Sequence, residues 1–211
     1  MPVAWDVDPP GSEAQIASNI ASVLRRIAAD AHARHPPTVA MSCDWHREIY
    51  RGVRLPIAYY AGEIRDSDPL LPELNGYEVE VGGLPGAPSA SVPGELARFE
   101  DAARRACDAL DAAIPAGGSP ADNQQLLSVL TLCASLHGEW ARIHPFANGN
   151  GRTARLWGNW AALRFGLPPF INAKPRPDGI AYALASYASM RRDHQVMTGV
   201  LLQMLQAHLA E

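Results

Sequence analysis

The segment that most constrains the fold is NQQLLSVLTLCASLHGEWARI, residues 123–143, which is apolar nearly all the way round a helical projection. A helix of that kind cannot lie on a surface and must run through the middle of a domain. Pro145 ends it two residues later. The rest of the chain has to supply elements that cover it.

Those elements carry the helical period. Ile16, Ile20, Val23, Leu24 and Ile27 recur at spacings of three and four, behind a Ser12–Gln15 pair that reads as a capping box. This helix should stop before RHPP, because Pro36 and Pro37 disfavour helical geometry. A shorter helix is predicted over SCDWHREIY, then an irregular proline-bearing run. Leu96, Phe99, Ala103, Ala106 and Leu110 mark another helix face, RTARLWGNWAALRF continues from a glycine turn, and two more helices are predicted at about 178–191 and 194–209. One stretch reads differently: Tyr77, Val79 and Val81 alternate with Glu78 and Glu80, ahead of Gly82–Gly83. This is a strand of a small hairpin, marginal alone in water, so it must pack on helices or engage a partner. The fold class is mostly α, a helical bundle with one β-hairpin. Residues 1–39 read as an N-terminal helical extension and 40–211 as the main domain, with one continuous domain as the alternative.

A net charge of −4 lacks the basic footprint of a nucleic-acid binder. No window reaches the roughly 18 apolar residues of a membrane span, and the N-terminus does not read as a signal peptide. Cys43, Cys107 and Cys133 make neither a pair nor a zinc spacing. A cytoplasmic protein in a reducing compartment is expected, with no nucleic-acid and no membrane partner.

Behind the central helix comes HPFANGNGRTAR, His144 to Arg155. A dinucleotide fold or P-loop needs a strand before its glycines, and here a helix precedes them. The helix–loop–helix setting can still make an anion site. Gly149 and Gly151 let a ligand approach backbone N–H groups at a helix start. Each such interaction contributes roughly 0.3–1 kcal/mol when exposed, too little alone for a polyphosphate. Arg152 and Arg155, three apart on one helix, suit bidentate phosphate contact. His144 titrates near neutrality and can take a proton from a hydroxyl. On the residues alone two readings stand: an anion site with a proton acceptor, or a polar turn with a structural histidine.

The stretch resembles the core motif of the Fic family, His-x-Phe-x-(Asp/Glu)-Gly-Asn-Gly-Arg-x-x-Arg. His144, Phe146, Gly149, Asn150, Gly151, Arg152 and Arg155 match, seven of eight defined positions. The resemblance extends over roughly residues 40–210. It implies a protein adenylyltransferase-like enzyme moving AMP from ATP to a Ser, Thr or Tyr hydroxyl of a target protein. His144 would be the general base. Gly149, Asn150 and Gly151 would hold the phosphates, with Asn150 positioning the α-phosphate. Arg152 and Arg155 would neutralise the β- and γ-phosphates, and Phe146 would anchor the loop. The hairpin, with Tyr77, Val79 and Val81, looks like the family's flap, which holds the target by strand addition. Asn148 departs from the pattern: it stands where the family carries the carboxylate that binds Mg²⁺. An amide oxygen can coordinate but brings no charge, so Mg²⁺ is expected to be held weakly or mainly by the nucleotide. A degenerate module that binds nucleotide or protein, and a transferase using UTP, GTP or a choline nucleotide, stand as alternatives.

The family's inhibitory pattern, (Ser/Thr)-x-x-x-Glu-(Gly/Asn), is not found. Ser91–Glu95 has the spacing but is followed by Leu96. A toxin restrained by a separate small antitoxin chain, or a protein not restrained that way, is implied. Elsewhere, Tyr59 and Tyr60 read as an apolar wall, Trp157 and Trp160 as core, and His137 as a hydrogen-bonded core residue. His46, three from Cys43, does not make a metal site, and residues 191–193 read as a solvated turn.

Overall fold

The structure is a computed structural model that describes residue 3 and residues 5–210. Among them are seven α-helices and one two-stranded hairpin. Helix α1 spans Glu13–His32 and buries Ile16, Ile20, Val23 and Ile27, the expected face, with Leu24 half-buried beside them. The capping box does not form. An N-cap side chain accepts from the first turn when its own backbone is extended, whereas Ser12 has helical angles (φ −96°, ψ −3°). Its hydroxyl donates instead to the Pro9 carbonyl at 2.6 Å, and Gln15 Nε2 donates to Asn19 Oδ1 at 2.8 Å.

Helix α2, Val39–Ile49, starts from an extended Thr38 whose hydroxyl accepts the Met41 N–H. The hairpin follows an irregular run. Strand β1 is Glu80–Val81 and β2 is Leu84–Pro85, antiparallel, with Val81 opposite Leu84. Gly82 and Gly83, at φ +57° and +80°, form the turn, as a two-residue hairpin requires. The strand is shorter than the alternation suggested. Tyr77 lies outside the ladder because Arg65 Nη1 holds its carbonyl at 2.5 Å, and its ring packs on Tyr60. Only the Gly86 N–H bond to the Val79 carbonyl prolongs the pairing.

Helix α3, Val92–Ala113, leads to α4, Asn123–Ile143, which the Asp122 carboxylate caps by accepting from Gln125 N–H at 2.8 Å. Helices α5 (Asn150–Arg164), α6 (Ile180–Ser189) and α7 (Gln195–Leu209) complete the chain. As its sequence demanded, α4 is central, touching α3, α5, α6 and α7. Helix α1 packs on α5 and α2, so its apolar face belongs to the same core. Trp45, Trp140, Trp157 and Trp160 are fully buried there. Trp157 meets Trp45 edge-on at 4.9 Å, so the tryptophans after the motif are core residues. Truncating one to Ala would cost roughly 3–5 kcal/mol. The three cysteines are free and buried, and burial pushes each thiol up to about 12. Among the described residues no helix is long and apolar enough to cross a membrane.

Candidate active site

The site begins where α4 ends. His144 caps the helix with its N–H on the Trp140 carbonyl at 3.0 Å and takes left-handed angles (φ 54°, ψ 57°). Pro145 cannot continue the helix, and His is among the few non-glycine residues enriched in that region. The reversal carries the imidazole to a cavity of about 430 Å³. Its Nδ1 lies 3.1 Å from the Ala141 carbonyl. A carbonyl only accepts, so Nδ1 carries the hydrogen and Nε2 keeps its lone pair. Desolvation, aided by the charge of Arg65 and opposed by the Ala141 bond, lowers the His144 pKa to about 4. The ring is therefore a neutral proton acceptor at pH 7.

The loop behind it is fixed from two sides. Phe146 is fully buried and stacks on His46, with centroids 3.9 Å apart and planes 6° from parallel. Gly62 N–H donates to His46 Nδ1 at 2.8 Å, so Nε2–H donates to the Asn148 carbonyl at 3.0 Å. The Asn150 side chain is engaged within the loop. Its side-chain oxygen accepts the Phe146 N–H at 2.9 Å and its amide donates to the Phe146 carbonyl at 2.8 Å. Both ends of the side chain are committed to shaping the loop. Gly149 sits at φ +77°, where an added Cβ would lie 2.6 Å from His46 Nε2 and 2.7 Å from the Tyr50 hydroxyl. Gly151 is less constrained: its φ is not positive, and its Cβ would meet only Arg155 Nη1 at 3.3 Å.

The first-turn N–H groups of Asn150 and Gly151 have no intrahelical acceptor, as at any helix start. Arg152 and Arg155 are both nearly buried. Arg155 donates twice to the Ala173 carbonyl, from Nε at 3.2 Å and Nη2 at 2.8 Å. Arg152 donates from Nη1 to the Val7 carbonyl (2.8 Å) and the Tyr50 hydroxyl (2.9 Å), and from Nη2 to Asp8 Oδ1 (2.5 Å). Lys174 and Arg176 also line the cavity, so four cations face one carboxylate, Asp8. Such a site favours an anion. A larger groove of about 860 Å³, between α3 and α4, has a rim of both charge signs and contains no motif residue.

Asn148 is occupied. Its Nδ2 donates to the Trp5 carbonyl at 2.7 Å and its Oδ1 accepts the Gly149 N–H at 2.8 Å. Among the described residues no three His, Cys, Asp or Glu side chains gather as a metal site.

Of the hairpin residues, Val81 reaches the cavity wall, whereas Val79 packs at Gly86 and Tyr77 packs on Tyr60. His137 is a core residue as expected, with Nε2 2.7 Å from the Tyr182 hydroxyl, and it borders the cavity. Tyr60 is fully buried. Glu95 pairs with Arg142, Arg98 and Arg192, not with the motif arginines. The sequence reading gave Arg65, Asp8 and Lys174 no role and weighed His46 only as a metal ligand.

Residues 36–162 match the sequence model of the Fic/DOC family. The uridine 5′-monophosphate transferase of Xanthomonas campestris is 49% identical over 43 residues, 20% of this chain and 8% of that protein. The protein adenylyltransferase Fic of Culex quinquefasciatus is 41% identical over 54 residues, 26% of this chain and 11% of that protein. The chain thus matches about a tenth of the length of these curated relatives. The crystal structure of a Fic domain containing signalling protein from Bacteroides thetaiotaomicron superposes with TM-score 0.64 at 19% identity, over 95% of this chain and 73% of that one.

Proposed function

The chain belongs to the Fic/DOC family, and from that premise we propose that it transfers AMP from ATP to a Ser, Thr or Tyr hydroxyl of a protein. The observation that carries this reading is the state of His144: a neutral ring whose Nδ1–H is tied to Ala141, with Nε2 left to accept, beside a pocket of four cations. The hydroxyl oxygen attacks the α-phosphorus, the bond to the bridging oxygen of the β-phosphate breaks, and pyrophosphate leaves. His144 Nε2 takes the hydroxyl proton. Arg152, Arg155 and the first N–H groups of α5 stabilise the charge gathering on the departing phosphates. Asn150 and Phe146 hold the loop that carries these groups. The hairpin would receive the target as an added strand, with Val81 nearest the chemistry.

The residues present do not fit a resident Mg²⁺. That ion prefers a carboxylate with substrate phosphates, and here Asn148 has both ends engaged while Asp8 is ion-paired. A divalent ion would reach this site only on the nucleotide.

A second reading, transfer of UMP, draws on the uridine 5′-monophosphate transferase likeness in the motif region. The experiment is transfer of label from α-³²P-ATP and α-³²P-UTP to lysate proteins, with His144→Ala and Asn148→Asp beside wild type. Wild type should label a band with ATP and His144→Ala should not. Labelling by UTP alone replaces the donor. Silence of both proteins with every donor, while ATP still raises Tm, makes the chain a non-catalytic nucleotide-binding module.

A further inference from the structure

Residues 5–8 have no regular secondary structure, yet they lie across the motif at three points. The Trp5 carbonyl accepts from Asn148 Nδ2, the Val7 carbonyl accepts from Arg152 Nη1, and the Asp8 carboxylate accepts from Arg152 Nη2. The same Asp8 oxygen also receives Lys174 Nζ. Trp5 holds the segment down, buried against Tyr50 (4.7 Å), His46 (5.7 Å) and Tyr60 (5.9 Å).

Lys174 belongs to no motif, but the fold sets it with care. It lies between α5 and α6 in a loop pinned by Asn159, which accepts the Ile171 N–H at 3.0 Å and donates to the Ile171 carbonyl at 2.7 Å. Its neighbour Ala173 is held by Arg155. One oxygen bracketed by a guanidinium and an ammonium is the environment a phosphate oxygen takes. Of the groups lining the cavity, Asp8 is the only one carrying negative charge. It is therefore the chain's own anion in an anion pocket.

We propose that Lys174, from outside the motif, joins Arg152 in a phosphate seat, and that Asp8 is its resting occupant, so that phosphate binding ejects residues 5–8. A phosphate competes with Asp8 for the seat, because the Asp8 oxygen already accepts from both cations. A di- or triphosphate brings more charge and more oxygens than a carboxylate and wins when present in excess. Affinity for nucleotide is then lowered by the fraction of chains in which Asp8 is seated. Burial works to raise the Asp8 pKa, but the Lys174 and Arg152 contacts outweigh it and hold the carboxyl below its ordinary range, so the occupant is ionised.

That the phosphate belongs to a nucleotide rests on the function proposed above; the seat itself does not. Inorganic pyrophosphate is therefore the first probe. Calorimetric titration of the full chain with pyrophosphate, and then ATP, compares wild type with Asp8→Asn and Lys174→Met. Asp8→Asn should bind both about tenfold more tightly, and Lys174→Met about tenfold more weakly, a change of about 1.4 kcal/mol each. Circular dichroism melts verify that each variant is folded. Amide exchange in residues 5–12 of wild type should rise when pyrophosphate saturates. Unchanged or weaker pyrophosphate binding by Asp8→Asn, unchanged binding by Lys174→Met, or unchanged exchange at saturation overturns the proposal. If these results appear as expected but no label is transferred to protein, the seat stands and the transferase reading falls.

Discussion

Arg65 Nε donates to the carbonyl of His144 at 2.8 Å, across 79 residues of chain. The same guanidinium, fully buried, donates to Tyr77, Ala87 and Ile143. One side chain thus ties both ends of the hairpin to the last turn of α4, and sets the distance between the proton acceptor and the surface that would receive a target.

Arg65→Lys keeps the charge but loses the planar fork that spans four carbonyls. Each buried carbonyl left without a donor costs roughly 1–3 kcal/mol. The urea midpoint of Arg65→Lys should fall, and label transfer should drop at least about tenfold with ATP affinity little changed. Arg65→Met should fall further in stability. An unaltered kcat in a folded Arg65→Lys protein would mean that His144 is positioned without it.

The pH profile of transfer should reflect His144. A free histidine titrates near 6.5, whereas burial brings this one to about 4. A base must be neutral to act, so activity is retained below pH 6 and falls as pH approaches about 4. The acid limb of kcat/KM, which reports the free enzyme, checks this. An acid limb centred near 6.5 would place the titrating base in a more solvated setting than the one described.

Stability should follow the same chemistry. Desolvation lowers His46 and His137 to about 3, as it lowers His144 to about 4. Between those values and about 6.5 the unfolded chain binds protons that the folded chain refuses, so stability rises with pH. Their contribution is complete above about 6.5 and erodes as pH falls toward about 3. Melting scans from pH 7 to 4 should show a falling Tm, and His137→Gln should flatten the slope. A slope unchanged in that variant would assign the effect to other groups.

Gly149→Ala and Gly151→Ala should separate cleanly. The first meets positive φ together with His46 and Tyr50 inside 3 Å, and should lose on the order of 1–3 kcal/mol, seen as a lower urea midpoint. The second meets only Arg155 Nη1 at 3.3 Å, so its stability should change little while phosphate affinity weakens.

What could be read in the sequence was what is local. The apolar circumference of residues 123–143, the faces of α1 and α3, and the contiguous motif announce themselves within a few turns. The capping box and the longer strand failed because a distant or adjacent group outcompeted the local preference: Pro9 for the Ser12 hydroxyl, Arg65 for the Tyr77 carbonyl. Arg65, His46 and Asp8 act on residues 79, 102 and 144 positions away. No spacing rule links such pairs, since only the folded chain brings them together. Asn150 was legible as a motif residue, but its two side-chain bonds to Phe146 depend on which way its amide turns.

The left-handed backbone at His144 filters substitution twice, once for chemistry and once for conformation. Asn tolerates that geometry at least as well as His, while β-branched residues do not. A lineage that gave up proton transfer could therefore pass through Asn at this position with its fold almost untouched. In this architecture, silence of the active centre and integrity of the scaffold are separable, and a stable descendant is no proof of a working one.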